Sequence, residues 1–203
     1  MLTDPSLRRA ALAHDHLVHF YTDDAGLVGE WADFIGAALA SGSSVVLIAT
    51  QDHIDGILAQ LRGCGVDVPL AIAEGRFLVN NAADALAQFF KAGSLNARRF
   101  YLLVEGLLSQ AAAASRESEG RVVAFGEMVA LLWAQGEEEA AIELERLWNR
   151  VGRSRSFTSR CAYPIEHFRG GDHGSEFLQI CAEHSLVISD EAIQPFKAAP
   201  REL

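Results

Sequence analysis

The sequence predicts an α/β domain: a mainly parallel sheet of about six strands flanked by helices. Three observations carry this. Short β-rich apolar runs alternate with amphipathic stretches along most of the chain. One run, Ser44–Thr50 (SVVLIAT), is continuously apolar and largely β-branched, the pattern of a strand buried on both faces. The stretches between runs are long enough to be helical crossovers, which leave successive strands parallel.

Leu17–Tyr21 reads as the first strand, and Leu27, Trp31, Phe34, Ile35, Ala38 and Leu39 then fall on one helical face that stops at Ser41-Gly42. SVVLIAT is the second strand, followed by a helix on Ile54, Ile57, Leu58 and Leu61 that closes at Gly63-Cys64-Gly65. Arg76–Asn80 is predicted as the third strand, with a short helix over Asp84–Ala92. Phe100–Val104 (FYLLV) is predicted as the fourth, before an Ala-rich helix from Gly106 to about Glu119. Arg121–Phe125 is the fifth, leading to helical pieces at Met128–Gln135 and Glu137–Arg153. Phe157–Ala162 is the sixth, stopped by Tyr163-Pro164, and a final helix over Ser175–Ser185 precedes a polar tail expected to be loose.

With 203 residues, 50% hydrophobic and 22% charged, the chain suits one domain and excludes a disordered or collagen-like one. Three cysteines, Cys64, Cys161 and Cys181, are too few and odd in number for a disulfide scaffold. The beginning lacks a signal-peptide core, and no run approaches the roughly 18 apolar residues of a membrane span. Free thiols without an export signal imply a cytoplasmic protein. A net charge of −10 argues against direct nucleic-acid or anionic-membrane binding.

In an open parallel sheet, ligands bind beyond the carboxyl ends of the strands. The residues expected there are Thr22, Asp23 and Asp24 after the first strand and Gln51, Asp52 and His53 after the second. Glu105 follows the fourth, and Gly126 and Glu127 the fifth. Such acids could bind Mg²⁺ or act as a base, or simply cap the helices that begin there. Glu127 stands out because Gly126 permits a tight exit from a central strand. No G-x-x-x-x-G-K-[ST] or G-x-G-x-x-G is present, and the two lysines, Lys91 and Lys197, follow no Gly-rich turn. A P-loop NTPase or dinucleotide-binding dehydrogenase is thereby disfavoured.

Alternation along the first strand places His14 and His16 on one face and His19 on the other. Cys181 and His184 share a face of the final helix, so a meeting of the chain ends would bring them near His16 or His19 as zinc-type ligands. The alternative is an ordinary core cysteine and a hydrogen-bonded histidine. Arginines 146, 150, 153, 155, 160 and 169 form a locally cationic stretch. It is expected either to dock an anionic partner or to pair with Glu137–Glu139, Glu143 and Glu145. Trp31, Trp133 and Trp148 fall on helical faces, as core or as pocket walls.

The blocks HLVHFYTDDAGL, GSSVVLIATQDH, FGEMVALLW, LERLWN, CAYP and ICAEHS, in this order, resemble the MEDS domain. That is the methanogen/methylotroph sensory domain of dichloromethane-responsive repressors, and the resemblance runs from about His16 to Ser189. It implies a three-layer RecA-like fold without a phosphate loop, in a non-enzymatic bacterial or archaeal signal-transduction module with no catalytic residue and no cofactor. A divergent, metal-dependent nucleotide-binding protein is the alternative. Residues 1–13 are then an extension, 14–189 the sensory domain and 190–203 a flexible tail. Family members often adjoin a helix-turn-helix, which regulates transcription, or a histidine kinase. Residues 1–13 are too short for the first and no kinase follows Leu203, so output is expected through a separate signalling protein or self-association. Strand ends and resemblance together give as ligand-binding candidates His16, His19, Tyr21, Asp24, Glu105, Glu127, Trp133, Trp148, Asn149 and Tyr163, with Cys181 and His184 as metal candidates from their spacing.

Overall fold

A computed structural model of the chain describes residues 15–117, 120–168 and 174–190. The extension 1–13, His14, Arg169 and the tail from 191 onward lie outside them.

The first strand, β1 (His16–Tyr21), is buried throughout and leads into α1 (Asp24–Ala40). Asp23 starts that helix by accepting the Gly26 amide at 2.8 Å, which satisfies one of its free first-turn donors. Then come β2 (Ser44–Ala49), α2 (Gln51–Gly63), α3 (Val68–Ala73) and β3 (Phe77–Asn81). A short α4 (Ala82–Leu86) precedes a hairpin of β4 (Phe90–Lys91) and β5 (Ser94–Leu95). The hairpin turn is Ala92-Gly93, both with positive φ (50° and 73°), the tight geometry that matches strand twist. The rest comprises α5 (Ala97–Ala114), β6 (Val122–Gly126), α6 (Met128–Ala134), α7 (Glu138–Ser154), β7 (Thr158–Pro164), a 3₁₀ turn (Ile165–Phe168), α8 (Gly174–Glu183) and β8 (Leu186–Ser189).

Six strands form one sheet in the order β3-β2-β6-β7-β1-β8, and every pairing in it is parallel. Helices cover both faces, giving three layers. Trp31, Ile35, Ile57 and Phe125 anchor the core under α1 and α2. Phe20, Phe100, Trp133, Leu147 and Trp148 anchor the other, under α5, α6 and α7. At Gly56 a Cβ would approach Val28 to 3.0 Å, so the missing side chain lets α2 lie close against α1.

Two expectations are corrected. FYLLV is not a strand but the first half of α5, where Asn96 caps by accepting the Arg99 amide. Its buried residues, Phe100, Val104, Leu108 and Ala111, recur at helical spacing while Leu102 is exposed. The run looks like a strand because helical neighbours of that stripe are also apolar. The sheet's remaining strand is instead Leu186–Ser189, a segment for which the sequence predicts no element. It is too short and polar-flanked to stand alone, and it forms because β1 offers an open edge.

Candidate functional site

The sheet has a topological switch point between β2 and β6. From β2 the chain leaves through α2 on one face, and from β6 it leaves through α6 on the other. The crevice between their carboxyl ends is where doubly wound folds place ligands. Glu127, only 2% exposed, occupies it. One carboxylate oxygen accepts the Thr50 amide at 2.8 Å, tying the end of β6 to the end of β2. The other accepts from His53 Nδ1 at 2.5 Å, which places the proton on Nδ1. His53 Nε2 then lies 3.3 Å from the exposed carboxylate of Asp24. An acid–histidine–acid chain thus runs from the interior to solvent.

The electrostatics follow from that geometry. The Glu127 hydrogen bond raises the His53 pKa, burial opposes it, and the charges of Glu127 and Asp24 add to the rise. Tyr21 sits edge-on to His53 with ring centroids 6.1 Å apart. Burial and then the nearby acids Glu127, Asp24 and Glu166 push its phenol well above the ordinary range.

A second cluster is buried under α7 and α8. Glu145, fully enclosed, accepts from the Tyr163 hydroxyl through Oε1 at 2.9 Å. Its Oε2 faces His16 Nε2 at 3.2 Å, Cys161 Sγ at 3.2 Å and His184 Nε2 at 3.4 Å. The two histidine rings lie 4.1 Å apart. Burial favours the neutral acid, but His184 and His16 outweigh it and hold the Glu145 carboxyl well below its usual range. Burial and the neighbouring His184 lower the His16 pKa, against Glu145 and Asn149. Burial, then Glu145, raises the Cys161 thiol well above its ordinary value.

His19 points to the opposite face of β1. It contacts Asp190 at 2.8 Å and Glu30 at 3.5 Å, while Arg160 already pairs with Glu30 at 3.1 Å. Asp190 also accepts the Thr22 amide at 2.8 Å. This is an ion-pair network closing the β1–β8 edge.

The sequence-implied residues therefore separate. Tyr21, Asp24 and Glu127 meet in the crevice, and His16, Asn149, Tyr163 and His184 meet in the buried cluster. Trp133 packs on Phe168 at 4.5 Å, and Trp148 packs on Phe100 and Phe157 inside the core. Glu105 is exposed on α5, remote from any strand end. Cys181 packs partly buried against the core, its thiol pushed up to about 11 by burial, and the cysteine in the cluster is Cys161. Part of the cationic stretch is engaged locally: Arg150 and Arg146 reach Glu143 at 3.4 and 3.8 Å, and Arg146 reaches Glu183 at 3.2 Å. Glu145 takes no part in that pairing.

Sequence reasoning placed His53 at the ligand-binding edge without a role of its own and assigned no site role to Cys161 or Glu145. Glu145 had a signal, being a carboxylate at helical spacing between the buried Ala141 and Trp148. Cys161 alternates with the buried Ser159 and Tyr163 along β7.

What results is a three-layer parallel α/β domain with ionisable side chains gathered at its switch point. The family comparison makes this specific. The chain belongs to the MEDS family, the methanogen/methylotroph, DcmR sensory domain, whose model matches residues 15–183. No curated protein matches the chain significantly. Among the described residues no helix is long and apolar enough to cross a membrane.

Proposed function

We propose that this sensory domain recognises a small uncharged or cationic molecule in the β2–β6 crevice and passes the signal on by binding, without turnover. The observation that supports this is the Asp24–His53–Glu127 chain at the switch point. Two carboxylates with one histidine disfavour a phosphate or carboxylate ligand and favour a hydrogen-bond donor or cation. An occupant that took a hydrogen bond from His53, or donated one to Asp24, would redistribute charge along the chain to Glu127 and Thr50. Since Glu127 bridges β2 and β6, a change there reaches both faces of the sheet. Output then passes to a separate signalling protein or a second copy of the chain. The free thiols of Cys64, Cys161 and Cys181 suit a cytoplasmic setting.

Thermal shift against short alcohols, alkylamines and halogenated methanes, with inorganic phosphate and Mg-ATP alongside, tests the reading. An alcohol, amine or halomethane raises the melting temperature of the wild type, and His53→Ala and Glu127→Gln abolish that shift. Stabilisation by Mg-ATP with hydrolysis that Glu127→Gln removes overturns it.

A further inference from the structure

We infer that His16, Glu145, Cys161 and His184 form a closed four-ligand site for a divalent transition-metal ion of the zinc type. Hydrogen bonding fixes which atoms face the site. Asn149 donates through Nδ2 to the Glu183 carbonyl at 2.8 Å and its carboxylate at 2.9 Å. Its Oδ1 is therefore the atom 3.1 Å from His16 Nδ1, and His16 carries its proton on Nδ1. His184 Nδ1 donates to the Ile180 carbonyl at 2.6 Å. Each ring therefore turns its Nε2, the atom a metal would take, toward the others. His184 Nε2 is buried without a hydrogen-bond partner.

Around that point converge two imidazole nitrogens, a carboxylate oxygen and a thiol sulfur. Such a set of donor atoms, gathered in a dry interior, is satisfied by a cation at its centre. The donor atoms fit one. They all lie within 4.8 Å of one another, and four of the separations are 3.2, 3.2, 3.3 and 3.4 Å. A tetrahedral zinc with bonds of about 2.0–2.3 Å separates its ligands by roughly 3.3–3.7 Å. One thiolate and one carboxylate balance a divalent charge, so the filled site is neutral where neutrality matters most. Binding requires Cys161 to release its proton to solvent as the metal–sulfur bond forms.

The surroundings match a metal's outer shell. Asn149 orients His16, the Ile180 carbonyl orients His184, and Tyr163 holds the free oxygen of Glu145. The His19–Glu30–Asp190 group differs, because Arg160 already neutralises Glu30. With all four positions supplied by protein, the ion is structural. It would join β1, α7, β7 and the end of α8, holding the last helix and β8 to the sheet.

The test uses the full chain, stripped by chelator and titrated with Co²⁺, followed by Zn²⁺. The wild type takes up one equivalent, with the intense visible absorption of tetrahedral cobalt and a thiolate charge-transfer band, both erased by Zn²⁺. Cys161→Ser loses the charge-transfer band and Cys181→Ser keeps it. Asn149→Ala retains every ligand yet binds Co²⁺ about 10–100-fold more weakly, because His16 loses its orienting partner. Should Cys161→Ser not fold by circular dichroism, Cys181→Ser and Asn149→Ala decide. No stoichiometric uptake by folded wild type, a band that disappears with Cys181, or an unchanged Asn149→Ala affinity overturns the proposal. His53→Ala leaves the cobalt spectrum intact, so this site and the crevice reading fail independently.

Discussion

His16 and His184, near opposite ends of the described chain, lie with ring centroids 4.1 Å apart, and both Nε2 atoms reach the same carboxylate oxygen of Glu145. The contact exists because β8 pairs with β1 and because Ser185 donates both its amide and its hydroxyl to the His16 carbonyl, at 2.8 and 2.9 Å. It makes Glu145 the hub of the carboxyl-terminal third of the fold.

Glu145→Ala is expected to lower stability by about 1–3 kcal/mol, the cost of leaving buried polar groups without their hydrogen-bond partner. The substitution strands the Tyr163 hydroxyl and the Cys161 thiol in a dry core. Urea denaturation followed by tryptophan fluorescence measures it. A change below 1 kcal/mol would contradict the role assigned to Glu145.

Stability should depend on pH through His53. Its pKa is raised in the folded state by Glu127 and Asp24, with the Tyr21 phenol the remaining ionisable group against it. A raised histidine contributes stability that is complete below the unfolded value of about 6.5 and is lost as pH rises through the higher folded value. His53→Gln should therefore flatten the stability curve above neutrality. NMR titration of the His53 ring gives the folded pKa directly, and a midpoint below 6.5 would refute the sign.

Asp190→Ala should release the sheet edge. Asp190 joins His19 and Thr22 just after β8, and burial notwithstanding, those hydrogen bonds hold its carboxyl below the usual range. Hydrogen exchange of the Leu186–Ser189 amides should accelerate, while that of β2 stays unchanged. Uniform acceleration would show that β8 is no separate opening unit.

Ala92→Asn should stabilise the protein by about 0.5–1 kcal/mol, because Ala92 holds a φ of 50° that asparagine tolerates better. The resulting Asn-Gly turn suits the β4–β5 hairpin. The urea midpoint should rise at unchanged slope.

Much of this was legible along the chain. SVVLIAT is a central strand, and Leu144, Leu147, Trp148 and Val151 do form the buried face of a helix. The crevice acids Asp24 and Glu127 follow strand ends, as the parallel alternation required. Glu105 lies on a helix rather than at a strand end because FYLLV carries both a strand-like run and a helical stripe, and the Asn96 cap resolves that conflict in favour of helix. On the exposed surface of α5, Glu105→Ala should leave stability within about 0.5 kcal/mol.

Local pattern determined the α/β class, the helix faces and the separation of His16 from His19, because side-chain periodicity of 3.6 and 2 is a property of neighbours. Tertiary structure decided which distant groups meet. Strand order set Glu127 against Thr50 and His53, and the β1–β8 pairing closed His184 over His16. It also chose Cys161 over Cys181 for the buried cluster. Those choices depend on register and helix docking across the whole sheet, where long-range burial outweighs anything encoded in a few adjacent residues.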